Sequence, residues 1–224
     1  MRRSAIALLA CSLLGASFFG TETGSVRGRV VLAVEGAAIA SAGPLVVYLA
    51  PVGSQIEFEI PRQIHTIRQR AARFDPSFLV ITAGQTIALP NRDEIFHNVF
   101  SYSRPNDFDL GLYPKGESRF VTMRFPGFVR LYCSIHESMS ASVFVAPAPF
   151  WALADDDGAF EIDDVPVGRY SLRTWSRRLP STTRRIQVHA DRPEIVQLTV
   201  GRPDPPAAAV RPSALPRRRR GPAR

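Results

Sequence analysis

Cys133, His136 and Met139 recur at every third residue, directly after the apolar run 128–132. Upstream, His97 sits in the strand-like stretch Phe96, His97, Asn98, Val99, Phe100. One thiolate, two imidazoles and a weak thioether are the ligand set of a mononuclear copper site of the electron-transfer type. The thiolate and thioether favour Cu(I), whereas imidazoles accept both oxidation states. A trigonal His–His–Cys plane with a distant Met suits neither state fully, which keeps rearrangement small when an electron moves. The expected site is therefore one copper held by His97, Cys133 and His136, with Met139 axial. Asn98 is expected to hydrogen-bond across to the Cys133 loop and stiffen it. His65 and His189 lie outside the set and are read as ordinary.

The rest of the chain must supply a compartment and a scaffold for that set. Residues 1–20 read as an export signal: Arg2 and Arg3 precede an apolar run over 5–19, and Ala16, Ser17 and Gly20 suit cleavage. No other stretch is long and apolar enough to span a bilayer. Cys11 lies inside the signal, where a lipoprotein-type cleavage is the lesser reading. Removing the signal leaves Cys133 alone, so no internal disulfide can form. A lone thiol in the oxidising periplasm needs burial or a metal to protect it.

The formal charge is +8, and it is lopsided. Arg2 and Arg3 supply two charges, and from Gly201 onward seven Arg stand against one Asp, so the body between is near neutral. That distribution argues against nucleic acid as a partner. The Arg/Pro-rich tail 201–224, with its run of Arg at 217–220, cannot bury a core and is expected to be disordered and solvated. Contact of the tail with anionic lipid or an acidic protein is its alternative use.

Strand signals dominate. The segments 26–34, 45–49, 78–81, 85–89, 95–100, 120–125, 128–132 and 141–145 are rich in β-branched and aromatic residues, with turn formers between many of them. This predicts an all-β sandwich or barrel class. One segment differs: Ile60, Ile64, Ile67 and Ala71 recur at helical spacing, interleaved with Arg62, Arg68, Arg70 and Arg73. It reads as a short helix or an irregular first strand. Its arginines read as a solvated face, with a basic docking patch as the sharper alternative. Asp155, Asp156, Asp157 and Gly158 read as the turn of a hairpin rather than a calcium loop, because the alternating acidic pattern is missing.

Several motifs together resemble the cupredoxin family in its plastocyanin pattern. They are Phe74-Asp75-Pro76, Ala83-Gly84-Gln85-Thr86, Pro90-Asn91, His97-Asn98-Val99 and the run from Gly127 to Cys133. The Cys-x-x-His-x-x-Met spacing is similar to that of amicyanin. The resemblance covers residues 56–146 and implies a Greek-key β-sandwich, one type 1 copper and exit of electrons through the edge of His136. Many members carry Pro after that His, where this chain has Glu137. The flanks are similar to a carboxypeptidase regulatory-like (transthyretin-like) domain, in Gly24 to Val30, Pro44 to Leu49, Asp155 to Phe160 and Val165 to Tyr170. The expected organisation is a signal at 1–20, a cupredoxin segment at 56–146, a small transthyretin-like sandwich split into 24–55 and 147–200, and the tail, with two tandem domains as the alternative to nesting.

The function expected from this reading is that of a non-enzymatic periplasmic carrier of single electrons between redox partner proteins. The amicyanin-like spacing and the likeness of the whole layout to methylamine-utilisation-like proteins imply a dehydrogenase as donor, and a cytochrome is the candidate acceptor. The alternatives are a copper-delivery module with the same ligands and no electron transfer, and a structural β-sandwich protein in which Cys133 is merely buried.

Overall fold

The computed structural model describes residues 22–33, 39–53 and 56–201. The expected signal, Cys11 and the tail from 202 onward lie outside them. The chain opens with β1 (Thr23–Leu32) and β2 (Val46–Pro51), separated by a short 3-10 helix at Ile39–Ala42. Ten strands follow in the central segment: β3 (Ile64–Thr66), β4 (Arg68–Arg70), β5 (Arg73–Asp75), β6 (Phe78–Thr82), β7 (Thr86–Pro90), β8 (His97–Ser101), β9 (Phe108–Tyr113), β10 (Ser118–Thr122), β11 (Gly127–Tyr132) and β12 (Ser140–Ala146). The last five are β13 (Trp151–Leu153), β14 (Ala159–Pro166), β15 (Gly168–Trp175), β16 (Thr183–Val188) and β17 (Glu194–Val200). The class is all-β, and the architecture is that of stacked β-sandwiches.

Four of the five sheets form four layers, the fifth being the two-stranded β4–β5 hairpin. The sheet β14-β1-β17 faces the sheet β13-β2-β15-β16 across a core that includes Val26, Val47, Leu49, Phe160, Leu172 and Leu198. The sheet β6-β12-β11-β8-β9 faces β10-β7-β3 across a second core of Ile67, Ile81, Leu89, Val99, Leu131 and Val143. The two sandwiches meet through a third apolar layer, where Val46 and Trp175 pack with Val80 and Phe144. Alternation explains how one strand serves two cores. Val47 and Leu49 point into the first core, while Val46 and Tyr48 point into the shared layer. On β12, Val143 and Val145 point into the second core and Phe144 into the shared layer. Strands buried on both faces read as continuous apolar runs, and so they do in 45–49 and 141–146.

Strand pairing divides the chain cleanly. β1 pairs only with β14 and β17, and β2 only with β13 and β15. Every central strand from β3 to β12 pairs within the central segment.

Of the two readings of the segment 60–71, the irregular strand holds and the helix does not. Ile67 and Gln69 point inward while Arg68 and Arg70 point out, a period of two, and Ile60 and Ile64 are exposed rather than part of a buried stripe. The acidic turn at 155–158 does not close a hairpin. Asp155 accepts from the N–H groups of Asp157 and Ala159, but the strands it joins lie in different sheets, because β14 pairs with β1 and β13 with β2.

Candidate metal centre

The loop 133–139 is the connection of the β11–β12 hairpin, whose last ladder pair is Tyr132 with Ser140. The Cys133 N–H donates to the Met139 carbonyl at 3.3 Å, and the Met139 N–H donates to the His136 carbonyl at 2.9 Å. These two bonds tie Cys133, His136 and Met139 into one compact turn. His97 arrives from the neighbouring strand. β8 runs antiparallel to β11 with Phe100 opposite Tyr132, so His97, three residues earlier, extends past the end of β11 to the loop.

The resulting geometry is convergent. His97 Nδ1 lies 3.6 Å from Cys133 Sγ, and His136 Nδ1 lies 4.0 Å from it. The three ligand atoms all lie within 4.8 Å of one another. First-row metal bonds of about 2.0 Å to nitrogen and 2.3 Å to sulfur, set 120° apart, put the two ligand atoms about 3.7 Å from each other. The two sulfur–nitrogen separations fit one ion bound between these groups. His97 and Cys133 are buried, and His136 is half-buried at the surface. Met139 is buried in the same apolar core as Cys133. His65 and His189 join no ligand cluster among the described residues.

Asp93, which sequence reasoning missed, completes the environment. Its Oδ2 lies 2.8 Å from His97 Nε2. A carboxylate there holds the proton on Nε2 and leaves the Nδ1 lone pair facing Cys133, the usual device for orienting a metal-binding imidazole. The same carboxylate accepts the Ala71 and Ala72 N–H groups at 2.6 and 2.9 Å. Burial pushes the Asp93 carboxyl up, but the hydrogen bonds from Ala72, His97 and Ala71 and the charge on His97 outweigh it, so it titrates below its ordinary value. The available signal was a carboxylate four residues before a ligand histidine.

The loop before His97 is fixed as well. Asn91 Nδ2 donates to the carbonyls of Ile95 and Tyr113, and Asn91 Oδ1 accepts from the Asp93 N–H. Tyr113 pairs with His97 across the β8–β9 ladder. Burial pushes its phenol up to about 12 against the hydrogen bond from Gln69, so the hydroxyl stays protonated and donates to the Leu89 carbonyl.

Asn98 does not perform the role expected of it. Its Nδ2 donates to Asp109 Oδ1 at 2.6 Å, and its Oδ1 is buried without a donor. The cause is a bulge. Asn98 pairs with Leu112 but Phe100 with Asp109, so β9 carries an extra residue near Gly111, whose φ is +67°. The bulge brings the Asp109 carboxylate to Asn98, where it also accepts the Gly111 N–H.

Asp93 further anchors an unfavourable turn. Ala71 and Ala72, between β4 and β5, both have φ of +52°, a conformation that suits Asn and Gly. The variant A71N/A72G keeps both N–H donors and is expected to raise stability by about 1–2 kcal/mol, read as a higher urea midpoint at unchanged slope.

No family model matches the chain, and no curated protein matches it. Among solved structures, a purple cupredoxin from Nitrosopumilus maritimus is 22% identical, with a TM-score of 0.34, over 37% of this chain and 99% of that one. Amicyanin from Paracoccus versutus is 19% identical, with a TM-score of 0.34, over 39% of this chain and 85% of that one. A copper-containing nitrite reductase from Thermus scotoductus SA-01 is 24% identical, with a TM-score of 0.35, over 52% of this chain and 28% of that one. The transthyretin-like resemblance of the flanks finds no support in these comparisons.

Proposed function

We propose that this chain is an exported type 1 copper protein that carries single electrons between redox partner proteins. The observation that carries the reading is the convergence of His97 Nδ1 and His136 Nδ1 on the Cys133 sulfur. Bound copper supplies a one-electron couple at that point.

The protein's part is to hold the donors still. Asp93 and the β8–β9 ladder fix His97, and the closed turn fixes Cys133 and His136 relative to each other. A donor set that cannot relax towards either oxidation state's preferred geometry keeps the reorganisation on transfer small. Met139, buried beside Cys133, is the fourth ligand in this reading.

His136 is the port. It is half-buried, its sequence neighbours Ile135 and Glu137 are exposed, and Ile95 and Phe96 expose apolar surface just before His97. Apolar surface at a charge-bordered imidazole suits brief docking of a partner, here a dehydrogenase as donor and a cytochrome as acceptor. The protein has no substrate of its own in this reading, and the reading of residues 1–20 as an export signal supports a periplasmic location.

The test is a titration of the purified protein with Cu(II), followed by voltammetry. An intense visible band and a reversible one-electron couple are the expected results. A colourless protein overturns the reading. Copper that transfers within seconds to a chelator and shows no reversible couple overturns it in favour of delivery.

A further inference from the structure

The β4–β5 hairpin carries charges that the fold leaves unanswered. Arg70 and Arg73 stand directly opposite each other in its ladder, and Arg68 stands opposite Asp75. Like charges in a directly opposed pair repel. The alternate pair, Gln69 and Phe74, is buried, so the arginines share the outer face. Arg92 joins them, because its N–H donates to the Gln69 carbonyl at 2.8 Å. All four arginines are exposed, and none forms an ion pair with a described residue. Two of the nearby acids are engaged elsewhere, Asp93 with Ala71, Ala72 and His97, and Glu94 with Lys115, while Asp75 stands across the ladder from Arg68 and leaves Arg70, Arg73 and Arg92 unanswered.

The hairpin also lies at the metal-ligand end of the molecule. A single carboxylate, Asp93, touches both its turn and His97.

We propose that Arg68, Arg70, Arg73 and Arg92 form a docking face for a partner protein with a carboxylate-rich surface, seated beside the His97–Cys133–His136 centre. The proposal rests on the reading of that centre as an electron-transfer site. A guanidinium fork matches a carboxylate in two parallel hydrogen bonds, and one carboxylate between Arg70 and Arg73 relieves their repulsion. A protein is favoured over a lipid surface because the hairpin tip holds only Ala71 and Ala72 and offers no apolar anchor. It is favoured over nucleic acid because Phe74, the hairpin's aromatic residue, is turned inward and cannot stack on a base. Docking there puts a partner's redox centre close to the ligands and speeds encounter at low salt.

The test uses the full chain and the double variant R70E/R73E. The copper-loaded, reduced proteins are mixed with succinylated cytochrome c, which is acidic, and with native cytochrome c, which is basic. At low ionic strength the variant is expected to react about tenfold more slowly with the acidic probe and no more slowly with the basic one, with an unchanged visible spectrum. High salt should erase the difference. Because both proteins carry the same tail, its arginines cancel from the comparison. Equal rates for the two proteins with the acidic probe overturn the proposal.

Binding of succinylated cytochrome c to the metal-free proteins, measured by surface plasmon resonance, reads the face independently of copper. Salt-sensitive binding that R70E/R73E loses supports the docking face even if the copper reading fails, and unchanged binding overturns it. Capture of wild type but not variant by phosphatidylglycerol vesicles, with no preference for the acidic protein, also overturns it and assigns the face to lipid.

Discussion

Replacing Cys133 by Ser abolishes the visible band that Cu(II) gives with the wild-type protein, and weakens copper binding by orders of magnitude. The band arises from charge transfer between the thiolate and Cu(II), and Cys133 is the sole described thiol. A serine hydroxyl is hard and stays protonated at neutral pH, so it neither replaces the soft ligand nor gives the transition. The substitution conserves shape and leaves one buried hydroxyl, at a cost of about 1–2 kcal/mol, so the variant folds. Far-UV circular dichroism and an absorbance titration with copper sulfate check both parts. A visible band that survives in Cys133→Ser places the copper elsewhere and removes the basis for an electron-transfer centre.

Replacing Trp175 by Ala lowers stability by about 3 kcal/mol and leaves the copper spectrum of the folded protein unchanged. Trp175 is the hub of the layer between the two sandwiches. Its ring centroid lies 4.8 Å from that of Phe144, 5.0 Å from Phe128 and 5.9 Å from Phe78. Those partners sit on β12, β11 and β6, while Trp175 ends β15, so one side chain packs the outer sandwich onto the inner one. Phe128 lies near the start of β11, at the other end of that strand from Cys133, which is why the metal centre is insulated from the change. Urea unfolding followed by circular dichroism, and in parallel by the visible band, measures the loss. A full loss of colour before any unfolding counts against this separation of roles.

The candidate cluster was legible because its chemistry is compact. Three donors fall within seven residues, and a soft thiolate without a disulfide partner narrows its own uses. His97 was legible from its donor type and strand context. Asp93 was not, because a carboxylate four residues before a histidine on an irregular loop has no fixed meaning until the chain folds back. Asn98 was misread because its reach depends on the bulge near Gly111, which no local pattern announces. The same bulge hid β9, where Asp109 and Gly111 break the alternation. The strands β2 and β12 were easy to see, since burial on both faces makes them continuously apolar. The segment 60–71 was ambiguous because its apolar residues match helical spacing, whereas its buried residues, Ile67, Gln69 and Phe74, follow a strand period broken by a turn.

The pairing of β1 with β17 sets an order of assembly. β1 is the first strand among the described residues, yet its partners β14 and β17 come near their end, with Val26 opposite Glu194. β2 likewise waits for β15. The strands β3 to β12 hold all their partners among themselves, so the inner sandwich can close on a nascent chain while β1 and β2 are still unpaired. Contacts so distant in sequence form late, because closing a long loop costs entropy before any contact repays it. The state most exposed to aggregation is then a finished inner sandwich that shows the apolar outer face of β6 and β12, Val80 and Phe144, to solvent. Closure of the outer sandwich covers that face and shields the segment that carries the His97–Cys133–His136 cluster.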